Sequence, residues 1–194
     1  MATTSAADHG RPCATATAAD GANRPLREQL QSLLQNWCQA GLPPRWQLMN
    51  ELQKLLEWRQ NHQIAGLWEP PPLMLTATVD DGWGHGLEAI ELCARLAGVQ
   101  IERIGLLQTP GAIVAACRRL RPLLLGLTVL QFDSEVDLKH IAANLPTPTR
   151  IIAGGAPFQI DPDFAERAGV PHVAKNAADF LHFLLFSDAL QWQP

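Results

Sequence analysis

The chain has 194 residues, of which 47% are hydrophobic and 18% are charged, and its formal net charge is −4 at pH 7. This length and apolar content predict one globular domain with at most a small accessory element. The weakly acidic balance excludes nucleic-acid binding through a broad basic surface, and no run reaches the roughly twenty apolar residues of a membrane span.

The amino-terminal segment and the cysteines indicate the cellular location of the protein. Residues 1–24 are rich in alanine and threonine and lack the apolar core of a signal peptide, which predicts a disordered tail. Cys13, Cys38, Cys93 and Cys117 form no C-x-x-C motif and no close pair. A disulfide framework is unexpected in a chain of this size, so we expect free thiols and a cytoplasmic location.

Two amphipathic helices are predicted within residues 25–68, separated by the helix-breaking segment 40–45. An isolated hairpin cannot bury its apolar faces, so we expect it to pack on the following domain as a reduced cap over the carboxyl edge of that domain. The extended stretch "EPPP" at residues 69–72 leads into this domain. The two apolar faces consist of Leu26, Leu30, Leu33, Leu34 and Trp37, and of Trp46, Met49, Leu52, Leu55 and Leu56.

Strands and helices alternate over residues 73–190, and the strands are nearly continuous apolar runs. Such strands are typical of a parallel sheet that is covered on both faces. Strict alternation predicts an α/β fold, a flavodoxin-like doubly wound sheet of five parallel strands in the order 2-1-3-4-5. The predicted strands span 73–79, 100–106, 123–130, 150–153 and 170–174, and the predicted helices span 86–97, 109–120, 134–144, 161–168 and 176–189.

Three of the predicted strands end in segments suited to ligand binding. In open α/β sheets, ligands bind beyond the carboxyl ends of the strands, where the strand order reverses. The exits "VDDGWGHG", "LTVLQFD" and "IAGGAPF" combine carboxylates, the hydroxyl of Thr128 and the glycine pair Gly154 and Gly155. Paired glycines alone favour a tight turn, but they also let a bulky group approach the backbone. Three such exits on neighbouring strands favour a ligand groove.

Residues 73–185 resemble the cobalamin-binding domain of methionine synthases, corrinoid methyltransferase subunits and carbon-skeleton mutases. The family pattern is D-x-H-x-x-G after the first strand, S-x-L or T-x-L at the third and G-G at the fourth. The resemblance implies that cobalamin is the cofactor, and the hairpin resembles a shortened form of the helical cap found in part of the family. The matching positions are Asp81 and Gly86 in the loop, Thr128 and Leu130 at the third strand, and Gly154 and Gly155 at the fourth.

The sequence departs from the family pattern at Trp83, which occupies the histidine position. In the family this histidine is the lower ligand of cobalt, and the aspartate orients it. An indole nitrogen carries a hydrogen and offers no lone pair. His85 lies two residues further along, at the start of the predicted helix, where we expect its side chain to point elsewhere. Cobalamin would then keep its own base on cobalt, or its lower face would be open or shielded by Trp83, and Asp80 or Asp81 would cap the helix.

The resemblance implies a non-catalytic, cobalamin-binding subunit that serves as a corrinoid carrier or accessory protein. The chain has no room for a catalytic barrel, so we expect a methyltransferase or radical enzyme as its partner. The expected cofactor-binding residues are the six matching positions together with Trp83 and His85, without catalytic residues or protein metal ligands. A sensor or adaptor that responds to cobalamin or another tetrapyrrole is the alternative, and the sequence leaves the oligomeric state open.

A phosphorylation receiver shares the predicted fold, but the sequence disfavours it. "VDD" at residues 79–81 and Lys175 after the fifth strand resemble the acidic pair and the lysine of that class. The third strand, however, ends in Thr128-Val129-Leu130 and provides no aspartate to accept a phosphoryl group.

Overall fold

The structure is a computed structural model that describes residues 23–187. The strands are β1 (Leu73–Thr78), β2 (Gln100–Gly105), β3 (Leu124–Thr128), β4 (Arg150–Gly154) and β5 (His172–Val173). The helices are α1 (Arg24–Ala40), α2 (Arg45–Asn61), α3 (His85–Ala97), α4 (Pro110–Leu120), α5 (Glu135–Asn144), α6 (Ala156–Ile160), α7 (Phe164–Arg167) and α8 (Ala177–Phe186), with a 3-10 turn at Phe132–Ser134 before α5. Most of the predicted tail lies outside the described residues. Within the described part, no helix is long and apolar enough to cross a membrane.

The five strands form one parallel sheet in the order β2-β1-β3-β4-β5, which confirms the predicted flavodoxin-like topology. The strand order reverses between β1 and β3, because the helices that follow these two strands, α3 and α5, lie on opposite faces of the sheet. Thr78 pairs with Thr128, and Thr128 pairs with Gly154. The last residues of β1, β3 and β4 therefore lie side by side, and their exit loops meet at one edge.

Two apolar cores cover the two faces of the sheet. One core combines α1, α2, α3 and α8, and the other combines α4, α5, α6 and α7. Cys93 and Cys117 lie in these two cores, and burial raises the pKa of the Cys93 thiol to about 12 and that of Cys117 to about 11. Both thiols therefore stay neutral and act as small apolar side chains.

The helical hairpin packs on the main domain, as expected, but it lies on the helix layer that covers one face of the sheet. Helix α1 contacts α8, and α2 contacts α3. Leu30 and Leu52 are fully buried in the core that they share with these helices. The apolar faces of α1 and α2 pack against α8 and α3. The hairpin therefore covers these two helices and does not form the predicted cap over the carboxyl edge.

The predicted boundaries differ from the structure mainly after β4. The short helix α6 (Ala156–Ile160) was not predicted, and the predicted helix 161–168 contracts to α7 (Phe164–Arg167). Strand β5 has two residues instead of five, because it is an edge strand that pairs only with β4 through two residue pairs. Helix α8 ends at Phe186, and residues 188–189 of the predicted helix lie outside the described part.

Candidate functional site

A cavity of about 460 Å³ opens at the carboxyl edge of the sheet, between the strand exits and the first turns of α3 and α8. Its volume is in the range of small-molecule sites, about 300–1,000 Å³. The structure thus brings all the sequence-predicted site residues to one place, although their role in cofactor binding stays a prediction. The eight residues that line the cavity as expected are Asp81, Trp83, His85, Gly86, Thr128, Leu130, Gly154 and Gly155.

Sequence reasoning missed the walls that α3 and α8 contribute. Ala89 and Ile90 follow Gly86 by three and four residues, so they lie on the same helical face. This spacing could have identified both residues from the sequence. The wall from the β5–α8 connection includes Ala174, Lys175 and the first residue of α8, and its position depends on where the fold places β5. The additional lining residues are Ala89, Ile90, Leu127, Ala156, Gln159, Ala174, Lys175, Asn176 and Ala177.

Asp81 fixes the turn between β1 and α3. Its Oδ1 accepts hydrogen bonds from the backbone N–H groups of Trp83 at 2.7 Å and Gly84 at 3.1 Å, and its side chain is buried. The Thr78 hydroxyl donates to the Asp81 carbonyl and accepts from the Leu107 N–H at 2.9 Å. The N-cap of α3 is Gly84, which has no side-chain cap, so the expectation that an aspartate caps this helix is wrong. Asp81 stabilises the preceding turn instead.

Asp80 connects the exits of β1 and β3. Its carboxylate accepts from the N–H groups of Leu130 at 2.9 Å and Gln131 at 2.8 Å, and from the Ser134 hydroxyl at 2.7 Å. Hydrogen bonds to a charged acceptor are stronger than neutral ones. Asp80 therefore sets the course of the loop that places Leu130 at the cavity, a role that the sequence did not reveal.

Trp83 projects from this turn and is 77% exposed at the cavity mouth. Its ring stacks on the His85 ring, with centroids 6.2 Å apart and planes inclined by 28°. His85 is the first residue of α3, as expected. The His85 carbonyl accepts from Arg45 Nη1 at 2.8 Å, and Arg45 also forms an ion pair with Glu88. The start of α2 therefore contacts the site, although no hairpin residue lines the cavity.

Exposed apolar side chains follow the exits of three neighbouring strands, and two of them, Trp83 and Leu130, line the cavity. Trp83, Leu107, Leu130 and Phe132 follow the neighbouring strands β1, β2 and β3, and each is at least 44% exposed. Trp46, next to Arg45, is 72% exposed. We call the first four residues the apolar rim. Exposed apolar side chains at the edge of a cavity are typical of a ligand-binding or protein-binding site.

The two glycines after β4 have a structural role as well as a place in the cavity wall. A Cβ on Gly154 would lie 2.1 Å from the carbonyl oxygen of Ala174, and one on Gly155 would lie 1.8 Å from that of Val129. Gly155 also has φ of +127°, which side chains rarely adopt. Glycine is therefore required for the exits of β3, β4 and β5 to pack closely, whatever ligand the cavity takes.

The side chains that line the cavity suit ligand binding. The cavity is lined mainly by small and apolar side chains, and Asp81 is engaged by its own loop. Among the residues that the structure describes, no group of three His, Cys, Asp or Glu side chains is placed to hold a metal ion. The arrangement suits a ligand with an inserted portion of modest size and a flat apolar portion that lies on the rim.

Three solved structures share the architecture. A cobalamin-binding protein from Desulfitobacterium hafniense is 19% identical over 85% of this chain and 82% of its own, with a TM-score of 0.71. The monomethylamine corrinoid protein of Methanosarcina barkeri is 20% identical over 89% of this chain and 84% of its own, with a TM-score of 0.55. The methanol:cobalamin methyltransferase complex of the same organism contains a chain that is 14% identical over 85% of this chain and 65% of its own, with a TM-score of 0.59.

In sequence, no protein-family model and no curated protein matches the chain. The structural likeness nevertheless spans both the helical hairpin and the sheet, since it covers at least 85% of the chain in all three comparisons. At identities of 14–20%, a likeness of this extent establishes the fold. The chain therefore has the flavodoxin-like fold, preceded by helices, that is found in cobalamin-binding and corrinoid proteins.

Proposed function

We propose that the protein binds a cobalamin at the carboxyl edge of its sheet and serves as a corrinoid carrier or accessory subunit. One observation carries the proposal: the cavity and the apolar rim adjoin each other at the strand exits of a fold shared with cobalamin-binding proteins. A cobalamin combines a flat macrocycle with a nucleotide tail, and these two parts match the two surfaces.

The residues present fit the two parts of this cofactor. Gly86, Ala89, Ala174 and Ala177 give the cavity small walls, which leave space for the heterocyclic base of the tail. Gly86 also brings α3 close to β3, because a Cβ there would lie 2.8 Å from Thr128 Cγ2. The apolar rim offers the surface on which the macrocycle loses contact with water. When bound, cobalamin supplies a cobalt centre for methyl-group or radical chemistry.

The proposed role is that of a carrier, and the small, apolar lining of the cavity among the described residues supports a binding function. The carboxylates of Asp80 and Asp81 hold the loops and are engaged by N–H and hydroxyl donors. In the proposed role, a second protein, a methyltransferase or a radical enzyme, performs the substrate chemistry. The occurrence of a similar chain in a solved methyltransferase complex supports the first of these.

Uptake of hydroxocobalamin by the full chain tests the proposal. Ala89→Leu adds bulk to the cavity wall while keeping a good helix former, and overpacking costs about 1–3 kcal/mol. At about 1.4 kcal/mol per tenfold change, we expect binding to weaken about ten- to a hundredfold. Equilibrium dialysis followed by absorbance measures the affinity.

The matched control is Ala143→Leu, an exposed position on α5 across the sheet from the cavity. It adds the same bulk and should bind as the wild type does. Failure of the wild type to take up cobalamin would refute the proposed function. Equal affinity in the folded Ala89→Leu variant would show that the cavity is not the site.

A further inference from the structure

We infer that the protein forms a dimer with two-fold symmetry through the face made by α4 and α5, with the two copies antiparallel. Arg118 of each copy pairs with Asp137 of the other copy, and the groove between the two helices receives the side chain of Val136. No residue of α4 or α5 lines the cavity, so the inference goes beyond the proposed function and does not depend on cobalamin.

The two faces of the sheet are covered unequally. On one face, the hairpin adds a second helical layer over α3 and α8. On the other face, α4 and α5 are part of a single layer, and no second layer covers them within residues 23–187. Val136, in the first turn of α5, is 74% exposed on this side. A second chain packed here would bury this side chain and complete the layer.

A groove of about 660 Å³ lies between α4 and α5. Gly111, Val114 and Ala115 line it from α4, and a Cβ on Gly111 would meet nothing within 4 Å. Because these side chains are small, they leave space for a side chain that projects from another helix. Ridges of one helix pack into grooves of another in this way. The groove therefore suits an exposed valine such as Val136 of a second copy.

The charges on this face are separated along the helices. The two helices follow parallel strands, so both begin at the carboxyl edge and end at the amino edge of the sheet. Glu135 and Asp137 lie in the first turn of α5, whereas Arg118 and Arg119 lie in the last turn of α4. This placement stabilises each helix through its dipole. It also makes the face self-complementary, because an antiparallel copy brings its basic end to the acidic end of the first.

The charges that we assign to the interface have no partner within the described chain. Arg118, Arg119 and Asp137 take part in no ion pair or side-chain hydrogen bond among the residues that the structure describes. Glu135 differs, since it binds Arg167 Nε at 3.0 Å. A two-fold interface uses the same patch on both subunits. A patch that carries both an unpaired cation and an unpaired carboxylate meets this requirement, so a second copy fits it.

The size of the face predicts a weak dimer. Helix α4 has 11 residues and α5 has 10. Each helix is therefore about 16 Å long, and neighbouring helices lie about 8–10 Å apart. A face of this size lies at the low end of specific interfaces, which bury about 1,200–2,000 Å² in total. We expect a dissociation constant on the order of 1–100 μM.

The antiparallel arrangement has a consequence for the carboxyl edges. The two edges point in opposite directions, and both cavities stay open because the interface contains none of their lining residues. Under the proposed function, the dimer therefore presents two cofactor sites at its two ends, and each site can meet an enzyme partner independently.

Sedimentation equilibrium of the full chain without cofactor tests the inference. A reducing agent keeps disulfides between chains from contributing. We expect a concentration-dependent dimer at 0.1 M salt that dissociates at 1 M salt, where the Debye length falls from about 10 Å to about 3 Å. A chain that stays monomeric up to about 1 mM at 0.1 M salt would overturn the inference. Cobalamin uptake is measured separately, so this result would leave the proposed function intact.

A charge exchange tests which residues meet. Arg118→Asp and Asp137→Arg each create two like-charge contacts in a two-fold dimer, and each variant alone should associate about a hundredfold more weakly. An equimolar mixture restores one native pair and adds one reversed pair, so it should dimerise about as well as the wild type. Lys54→Asp on α2, an exposed position on the hairpin with the same change in charge, is the control and should keep the wild-type dimer.

The mixture distinguishes the proposed contact from a general effect of charge. Wild-type association in either folded variant, or a mixture as weakly associated as its components, would refute the pairing of Arg118 with Asp137. Val136→Ser tests the apolar contact, which occurs twice in the dimer, and should raise the dissociation constant about tenfold or more. Leu42→Ser, in the loop between α1 and α2, should leave it unchanged. Equal dissociation constants for the wild type and Val136→Ser would show that Val136 lies outside the interface.

Discussion

Two adjacent aspartates show how side chains of the same type take different roles at one strand exit. Asp81 points back into its own turn and holds Trp83 and Gly84, while Asp80 reaches across to the β3 exit. Neighbouring side chains at the end of a strand point to opposite sides, so one carboxylate serves each loop. Together they fix the relative positions of Trp83 and Leu130, on two sides of the cavity mouth.

The role of Asp80 predicts a measurable loss in Asp80→Asn. The amide keeps one acceptor oxygen and loses the charge, so it cannot maintain all three hydrogen bonds. The cost should be about 1–2 kcal/mol in the free energy of unfolding, measured by urea denaturation. Asp133→Asn, an exposed position in the same loop, is the control and should stay within about 0.5 kcal/mol of the wild type. Equal stabilities would show that the Asp80 bonds contribute nothing.

At the scale of elements, the sequence predicted the parts of the fold that are governed by local burial. Strands β1, β3 and β4 are buried apolar runs, so their limits follow from composition. Helix α6 and strand β5 are short, and they exist because β4 and α8 position them. The same distinction holds for the site. The residues at the exits of β1, β3 and β4 could be read from motifs, but the α8 wall depends on the packing of distant elements.

The close packing of the β3 and β4 exits predicts opposite effects of one substitution at two glycines. Gly155→Ala forces a Cβ to within 1.8 Å of the Val129 carbonyl oxygen at φ of +127°, and should destabilise the protein by roughly 3 kcal/mol. Gly111→Ala lies on α4 with nothing within 4 Å, and should stabilise by about 0.5 kcal/mol through helix propensity. Thermal unfolding of both variants measures the difference. A Gly155→Ala variant as stable as the wild type would mean that the exits pack less closely than described.

At the scale of the whole molecule, the hairpin and the sheet share one core. Leu30 and Leu52 lie in the same apolar cluster as Cys93 on α3 and Phe180 on α8. Arg59 on α2 reinforces the contact by donating to the carbonyl oxygens at the end of α3. We therefore expect the hairpin and the sheet to unfold together as one cooperative unit.

Leu52→Ala tests this coupling, because Leu52 is fully buried between the hairpin and the sheet layer. Loss of a buried leucine costs about 2–5 kcal/mol in the free energy of unfolding, whereas Leu42→Ala, at a position 37% exposed, should cost far less.

Thiol labelling in a Cys13→Ser, Cys38→Ser background distinguishes the two cores, since Cys93 lies on the hairpin side and Cys117 on the opposite face. Burial raises the pKa of both thiols and protects them in the folded state. In one cooperative unit, both should become reactive at the same urea concentration, and Leu52→Ala should lower that concentration equally for both. Earlier exposure of Cys93 alone would show that the hairpin detaches from an intact sheet.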